Sequence, residues 1–187
     1  LGILTGIAFA FFYATLGIPV AMWADRGNRR NILALSLTIW SGMTALSGFA
    51  ANFGQLLLAR IGVGIGEAGG TPPATSIISD LFPPEQRATA LGIYTTGISF
   101  GILVGFLIGG FVYEAYGWRA AFFVAGVPGL LMAIIVRFTL EEPARGHSEH
   151  RKATNEAPTL REIFIFLKHQ KSAQHLLIGC ALICIVA

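Results

Sequence analysis

Ala24-Asp25-Arg26-Gly27-Asn28-Arg29-Arg30 separates two long apolar stretches, residues 1–23 and 31–51. A short, charged, turn-forming break between two runs of near-spanning length reads as a helical hairpin in a membrane, where a span needs roughly 20 mostly apolar residues. The rest of the chain repeats the pattern. Asn52-Phe53-Gly54 is an uncharged turn, and residues 55–78 form a third run with Arg60 and Glu67 inside it. Residues 80–87 are a polar break in which Pro83-Pro84 stops one helix and can start the next. Residues 88–112 form a fourth run, 113–119 a loop with interfacial aromatics, and 120–135 a fifth run containing Pro128. A long polar stretch from Arg137 to about Ser172 precedes a sixth, incomplete run. The expected fold is an all-α polytopic membrane bundle.

Composition supports the same solvent. The 187 residues are 54% hydrophobic and 12% charged, with a mean hydropathy of +0.67. Soluble domains carry about 25% charge, and a soluble core of this size could not hide so much apolar surface. The 23 glycines recur inside the apolar runs, where small residues let membrane helices approach closely. Lysine and arginine placement sets orientation. Arg26, Arg29, Arg30, Arg87 and the basic residues of the long polar stretch share one side, Arg119 stands alone on the other, and Arg60 lies within a run. The positive-inside rule makes the first side cytoplasmic. No basic stripe interleaved with aromatics points to nucleic acid. Cys180 and Cys184, four apart in one apolar run, read as small lipid- or helix-facing residues.

The expected division is residues 1–138 as five membrane helices, 139–172 as a cytoplasmic linker, and 173–187 as the start of another membrane helix. Within the linker, residues 146–158 are polar and mixed in charge, which predicts mobility. Thr159-Leu160-Arg161-Glu162 then reads as a capping box. Leu160, Ile163, Phe164 and Leu167 follow at helical spacing, so a short amphipathic helix is expected over about 159–170, lying at the interface or simply extending the next span. Leu1 already lies in an apolar run and the last run stops short of a span, so the chain is expected to be a piece of a larger protein.

Two groups of residues carry functional expectations. An acid followed by three arginines at a helix end, Asp25 with Arg26, Arg29 and Arg30, can form an ion-pair latch with Asp80 on the same side and hold one conformation closed. A simple topological anchor would not need the aspartate. The second group is Arg60 and Glu67. An ionisable residue at membrane depth costs about 2.5–3.5 kcal/mol even on a lenient scale. Their seven-residue spacing puts them on one helix face, about 10 Å apart along the axis, too far for direct contact but able to line one cavity. Glu67 is the candidate proton-coupling carboxylate and Arg60 its electrostatic partner or an anion anchor. The competing reading is a structural ion pair with another helix. Gly69-Gly70-Thr71-Pro72-Pro73, just beyond, interrupts the hydrogen-bond ladder, either to face a cavity or to kink for packing.

These motifs together resemble the major facilitator superfamily. Residues 21–30 are similar to its cytoplasmic signature between the second and third helices, with Ala21, Trp23 and Asn28 departing from the pattern. Leu58-Ala59-Arg60 through Gly66-Glu67-Ala68 resembles its fourth-helix motif, and the Gly66-Glu67-Ala68 version, with residues 79–87 after it, is most like the spinster-type branch. Gly97, Gly101, Gly105 and Gly109-Gly110 partly resemble a fifth-helix antiporter motif, but Ile102 stands for its proline and Phe106 for a glycine, so these positions are read as close helix packing. The resemblance places the chain from the family's second helix to the start of its seventh, without the first helix and most of the C-terminal half. It implies a secondary active transporter working by alternating access, proton-coupled, in a bacterial inner membrane. Its substrate would be an amphipathic lipid or a small organic solute, and its other partners protons and membrane lipid. An organic-anion symporter of the same superfamily and a transport-inactive sensor or scaffold are the alternatives. An enzyme is not expected. His147, His150, His169 and His175 all fall in or beside the linker, no span carries a nucleophile or metal motif, and no cofactor or metal site is expected.

Overall fold

The computed structural model describes residues 8–149 and 160–186. It is helical, and no strand occurs among the described residues. The chain divides into two units, residues 1–153 and 154–187.

The first unit is a bundle of six helices: α1 (Ala8–Arg26), α2 (Arg29–Ser47), α3 (Phe53–Glu67), α4 (Thr71–Leu81), α5 (Pro84–Tyr116) and α6 (Trp118–Thr139). A single 3₁₀ turn, His147–Glu149, follows. The helix ends sit where the sequence supplies caps. Asn28 begins α2, its side chain accepting from the Asn31 N–H at 2.8 Å. The asparagine that departs from the family signature is therefore an N-cap, the role its side-chain carbonyl suits. Asn52 does the same for α3, accepting from Gln55 N–H at 2.9 Å, while Gln55 reaches back to Ala51 N–H at 2.7 Å. Pro84 occupies the first turn of α5, where its missing N–H costs nothing. The loop expected over 113–119 shrinks to one residue. Gly117 joins α5 directly to α6 with φ of 82°, a conformation open to glycine.

α2 is the hub, packing chiefly on α6 and α3, while α1 lies on α3 and α5 on α6. Glycine makes the closest approach possible. A Cβ on Gly126 of α6 would lie 2.6 Å from the Ala45 backbone nitrogen and 2.7 Å from the Ser41 carbonyl of α2. Arg119 closes the far end of this pair, donating to the Ala50 carbonyl at 3.0 Å and stacking over Trp118.

By length and hydropathy, α5 and α6 are each able to cross a membrane alone. The third apolar run is divided between α3 and α4. Along α5, nothing among the described residues lies within 4 Å of a Cβ added at Gly97, Gly101, Gly105 or Gly109. Their close-approach surface is unused within this unit.

The second unit holds α7 (Leu160–His169), at the place expected for the amphipathic helix, and α8 (Lys171–Val186). Gln174 links them, its Nε2 donating to the Leu167 carbonyl at 2.9 Å and the Lys168 carbonyl at 2.8 Å. Thr159, the expected cap of α7, lies outside the described residues.

Candidate functional site

The break between α3 and α4 builds the first candidate site. The α-helical pattern ends at Glu67. Gly69 and Gly70 then donate back only three residues, to Gly66 and Glu67, at 3.1 and 3.0 Å, and α4 restarts with Pro72 and Pro73 in its first turn. The prolines thus begin the new helix rather than kink an old one. The tight turn also brings this segment against α2: a Cβ on Gly66 would meet the Trp40 backbone nitrogen at 2.5 Å.

Glu67 opens at this break into a cavity of about 670 Å³ that also takes in Trp40, Thr44, Thr71 and Tyr94. Aromatic and hydroxyl groups around one carboxylate suit a mixed polar and apolar ligand. Arg60 is not among the residues lining this cavity. The shared helix face holds, but two turns of axial offset set the guanidinium at another level. Its Nε is buried with no hydrogen-bond partner among the described residues.

The second cluster lies at the arginine-rich end of the bundle. Arg29, at the start of α2, is fully buried and uses its whole guanidinium. It pairs with Asp80 of α4 and with Glu142 at 2.8 Å, and donates to Ser76 Oγ at 2.9 Å and to the Pro143 carbonyl at 2.7 Å. The planar fork of arginine is suited to several fixed acceptors at once. The other Glu142 oxygen accepts the Arg30 backbone N–H at 2.7 Å. Burial works against ionisation of Glu142, but the Arg30 N–H and the Arg29 guanidinium outweigh it and hold the carboxyl below its usual range.

Residues beyond α6 complete this cluster. Gly146 N–H donates to Asp80 Oδ1 at 2.9 Å. Arg145 donates to the Ala24 and Gly27 carbonyls, both at 2.8 Å, so a cation caps the C-terminal end of α1. Arg87 of α5 reaches Ser148 Oγ at 2.8 Å, and that hydroxyl donates to the Ser79 carbonyl at 2.9 Å. The mobility expected from residue 146 onward therefore does not apply to 146–149, which are tied to α4 and α5.

Of the five residues expected to form a latch, Arg29, Asp80 and the Arg30 backbone come together. Asp25 and Arg26 are exposed and make no ion pair among the described residues. Glu142, Ser76, Arg145 and Ser148 went unrecognised. The available signal was the acidic Glu141-Glu142-Pro143 directly after a helix ending on the basic side, which composition alone merged with the linker. No cluster of residues able to hold a metal ion occurs among the described residues.

A bundle of apolar helices, with a carboxylate at a helix break and its charges gathered at one end, defines a polytopic integral membrane protein. The family model described as Major Facilitator Superfamily matches residues 1–187, and the chain belongs to that family. It is 38% identical over 136 residues to an MFS-type efflux pump of Mycolicibacterium smegmatis, covering 73% of this chain and 32% of the pump. A probable L-galactonate transporter of Escherichia coli is 34% identical over 126 residues, covering 67% of this chain and 28% of the transporter. The solved structure of a bacterial homolog of the human lysosomal transporter spinster, inward-facing and unoccupied, is 42% identical with a TM-score of 0.75, covering 96% of this chain and 43% of that one. The likeness to the spinster-type branch seen in Gly66-Glu67-Ala68 extends through the fold. The chain spans about a third of the length of these curated relatives. The relatives themselves are described as an efflux pump and as transporters.

Proposed function

We propose that this chain forms part of a secondary active transporter that works by alternating access and is proton-coupled through Glu67. The observation that carries this reading is the Glu67 carboxylate opening into the cavity at the α3–α4 break. A carboxylate that alternates between wet and dry surroundings changes its proton affinity with conformation, the property that couples proton movement to transport. The substrate is an amphipathic lipid-like or small organic solute, suited to a cavity that combines Trp40 and Tyr94 with Thr44 and Thr71. Residues 1–138 belong to the N-terminal half of the transporter, 139–172 to the linker between halves, and 173–187 to the following helix. The C-terminal half of the same protein completes the pathway, in a bacterial inner membrane. Asp25, Arg26, Arg29, Arg30 and Asp80 form the cytoplasmic gate, with the Arg29–Asp80 pair at its centre.

The test is uptake by the full-length protein in proteoliposomes, with and without an imposed pH gradient. The native protein is expected to respond to the gradient and Glu67→Gln to lose that response. Unchanged proton dependence in Glu67→Gln sinks the coupling role. Absence of uptake in the native protein, across lipid-like and organic substrates, favours a sensor or scaffold.

Organic-anion symport is the second reading. The buried Arg60 Nε, without a partner among the described residues, favours it, since an anion would supply the missing acceptor, as does the likeness to the L-galactonate transporter. Competition by sugar acids that disappears in Arg60→Gln would select it over the lipid-like substrate.

A further inference from the structure

A groove of about 290 Å³ runs between α2 and α6 at the arginine-rich end, on a different face from the Glu67 cavity. The two helices meet closely farther along, where Gly126 and Gly129 of α6 lie against Ser41 and Ala45 of α2. Toward the arginine-rich end, residues 31–38 of α2 and 133–138 of α6 line the groove. Ala34, Leu35, Ala133 and Ile134 give the groove apolar walls, and Arg137, in the last turn of α6, stands on it with Asn31. No carboxylate lines the groove, and Arg137 has no ion-pair or hydrogen-bond partner among the described residues. Arg30 adds a second positive charge beside it, donating to Asn31 Oδ1 at 3.4 Å. The outer rim is open and apolar, with Ile134 57% and Phe138 79% exposed.

The geometry points to a binding site for one anionic phospholipid, its acyl chain in the groove and its headgroup phosphate on Arg137. Three observations select this occupant. The apolar rim lies on α6, a helix able to cross a membrane alone, so hydrocarbon is its natural surrounding. Arg137 ends that helix, at the level where headgroups lie. A guanidinium that lies over the Phe138 ring at 5.9 Å but has no carboxylate partner among the described residues, with another arginine nearby, complements a net negative headgroup better than a zwitterionic one, and basic pockets between helices on the cytoplasmic side bind such headgroups. Arg30 also belongs to the proposed gate, whereas Arg137 and Ile134, the positions varied in the test, belong to neither the gate nor the Glu67 cavity.

The test uses the full-length protein in detergent, titrated with phosphatidylglycerol or phosphatidylcholine and followed by native mass spectrometry. Phosphatidylglycerol is expected to be retained in preference to phosphatidylcholine. Arg137→Gln should weaken phosphatidylglycerol binding about fivefold, the worth of one basic side chain near an anionic headgroup. Arg137→Lys should restore most of it, and Ile134→Trp, which fills the groove, should weaken both lipids. Equal retention of the two lipids, native binding in Arg137→Gln, or competition by glycerol phosphate equal to that by the lipid overturns the proposal. A photoreactive residue at position 134 supplies a reading independent of variant folding. It should cross-link to lipid, and cross-linking instead to another protein segment or a second copy overturns the assignment.

Discussion

Arg29 has only 1% of its side chain exposed, and two carboxylates, Asp80 and Glu142, share its guanidinium. Pairing of buried charges makes removal of one member far costlier than the pair is worth, because the others stay behind without a partner. Arg29→Ala is expected to destabilise the full-length protein by about 3–5 kcal/mol, read as a lowered midpoint in thermal or denaturant unfolding. Arg29→Lys should recover only part of this, since an ammonium cannot serve four acceptors fixed around a planar fork. Glu142 adds a pH dependence. Its folded carboxyl titrates below the usual range, so the unfolded chain binds its proton first as pH falls. Its contribution is complete above about pH 4.3, the ordinary glutamate value, and is lost as pH drops through the lower folded value. Melting curves from pH 6 downward should show this acid-side loss in the native protein and less of it in Glu142→Gln. Arg29 and Asp80 were legible as partners from charge and side of the membrane. Glu142 was not, because nothing local distinguishes it from its exposed neighbour Glu141.

At the scale of elements, helix ends follow rules readable in the sequence, whereas helix contacts do not. Asn28, Asn52 and Pro84 each mark the start of a helix through a cap or a dispensable donor. The third apolar run was legible as interrupted, but the site of the interruption was set by glycines that let the chain turn tightly after Glu67 against Trp40. Glycine as a packing signal proved ambiguous. Gly126 is buried against Ser41 and Ala45, whereas the evenly spaced glycines of α5 have nothing within 4 Å among the described residues. Gly126→Val should push α6 off α2 and cost about 1–3 kcal/mol, the usual penalty of overpacking. Thermal unfolding of the purified full-length protein checks this, and an unchanged midpoint would show that the two helices do not meet there.

At the scale of the whole first unit, the segment after α6 acts as a strap. Through Glu142, Arg145, Gly146 and Ser148 it touches the basic ends of α1, α2, α4 and α5. A segment held by side-chain bonds to several helix ends reports on their relative positions, because those bonds cannot all persist if the ends move apart. Arg145→Gln removes the donor to the Ala24 and Gly27 carbonyls. Faster amide hydrogen exchange is expected across residues 145–149, with exchange in α6 unchanged. Equal protection in the variant would show that the strap is held without Arg145.

The sequence by itself determined the solvent, the helices and the family. Long apolar runs, their punctuation by turn residues and the one-sided placement of arginine are one-dimensional properties, each with a direct physical cause. It also singled out Glu67 and Asp80, since an acid inside a span or opposite an arginine loop is conspicuous without a fold. Only the tertiary structure decided that Glu67 faces a cavity without Arg60, that Arg29 takes two carboxylates rather than one, and that α2 and α6 leave a groove between them beside Arg137. These outcomes depend on helix crossing and axial offset, which arise from contacts between residues as far apart as Arg29 and Glu142 and have no signature in local spacing.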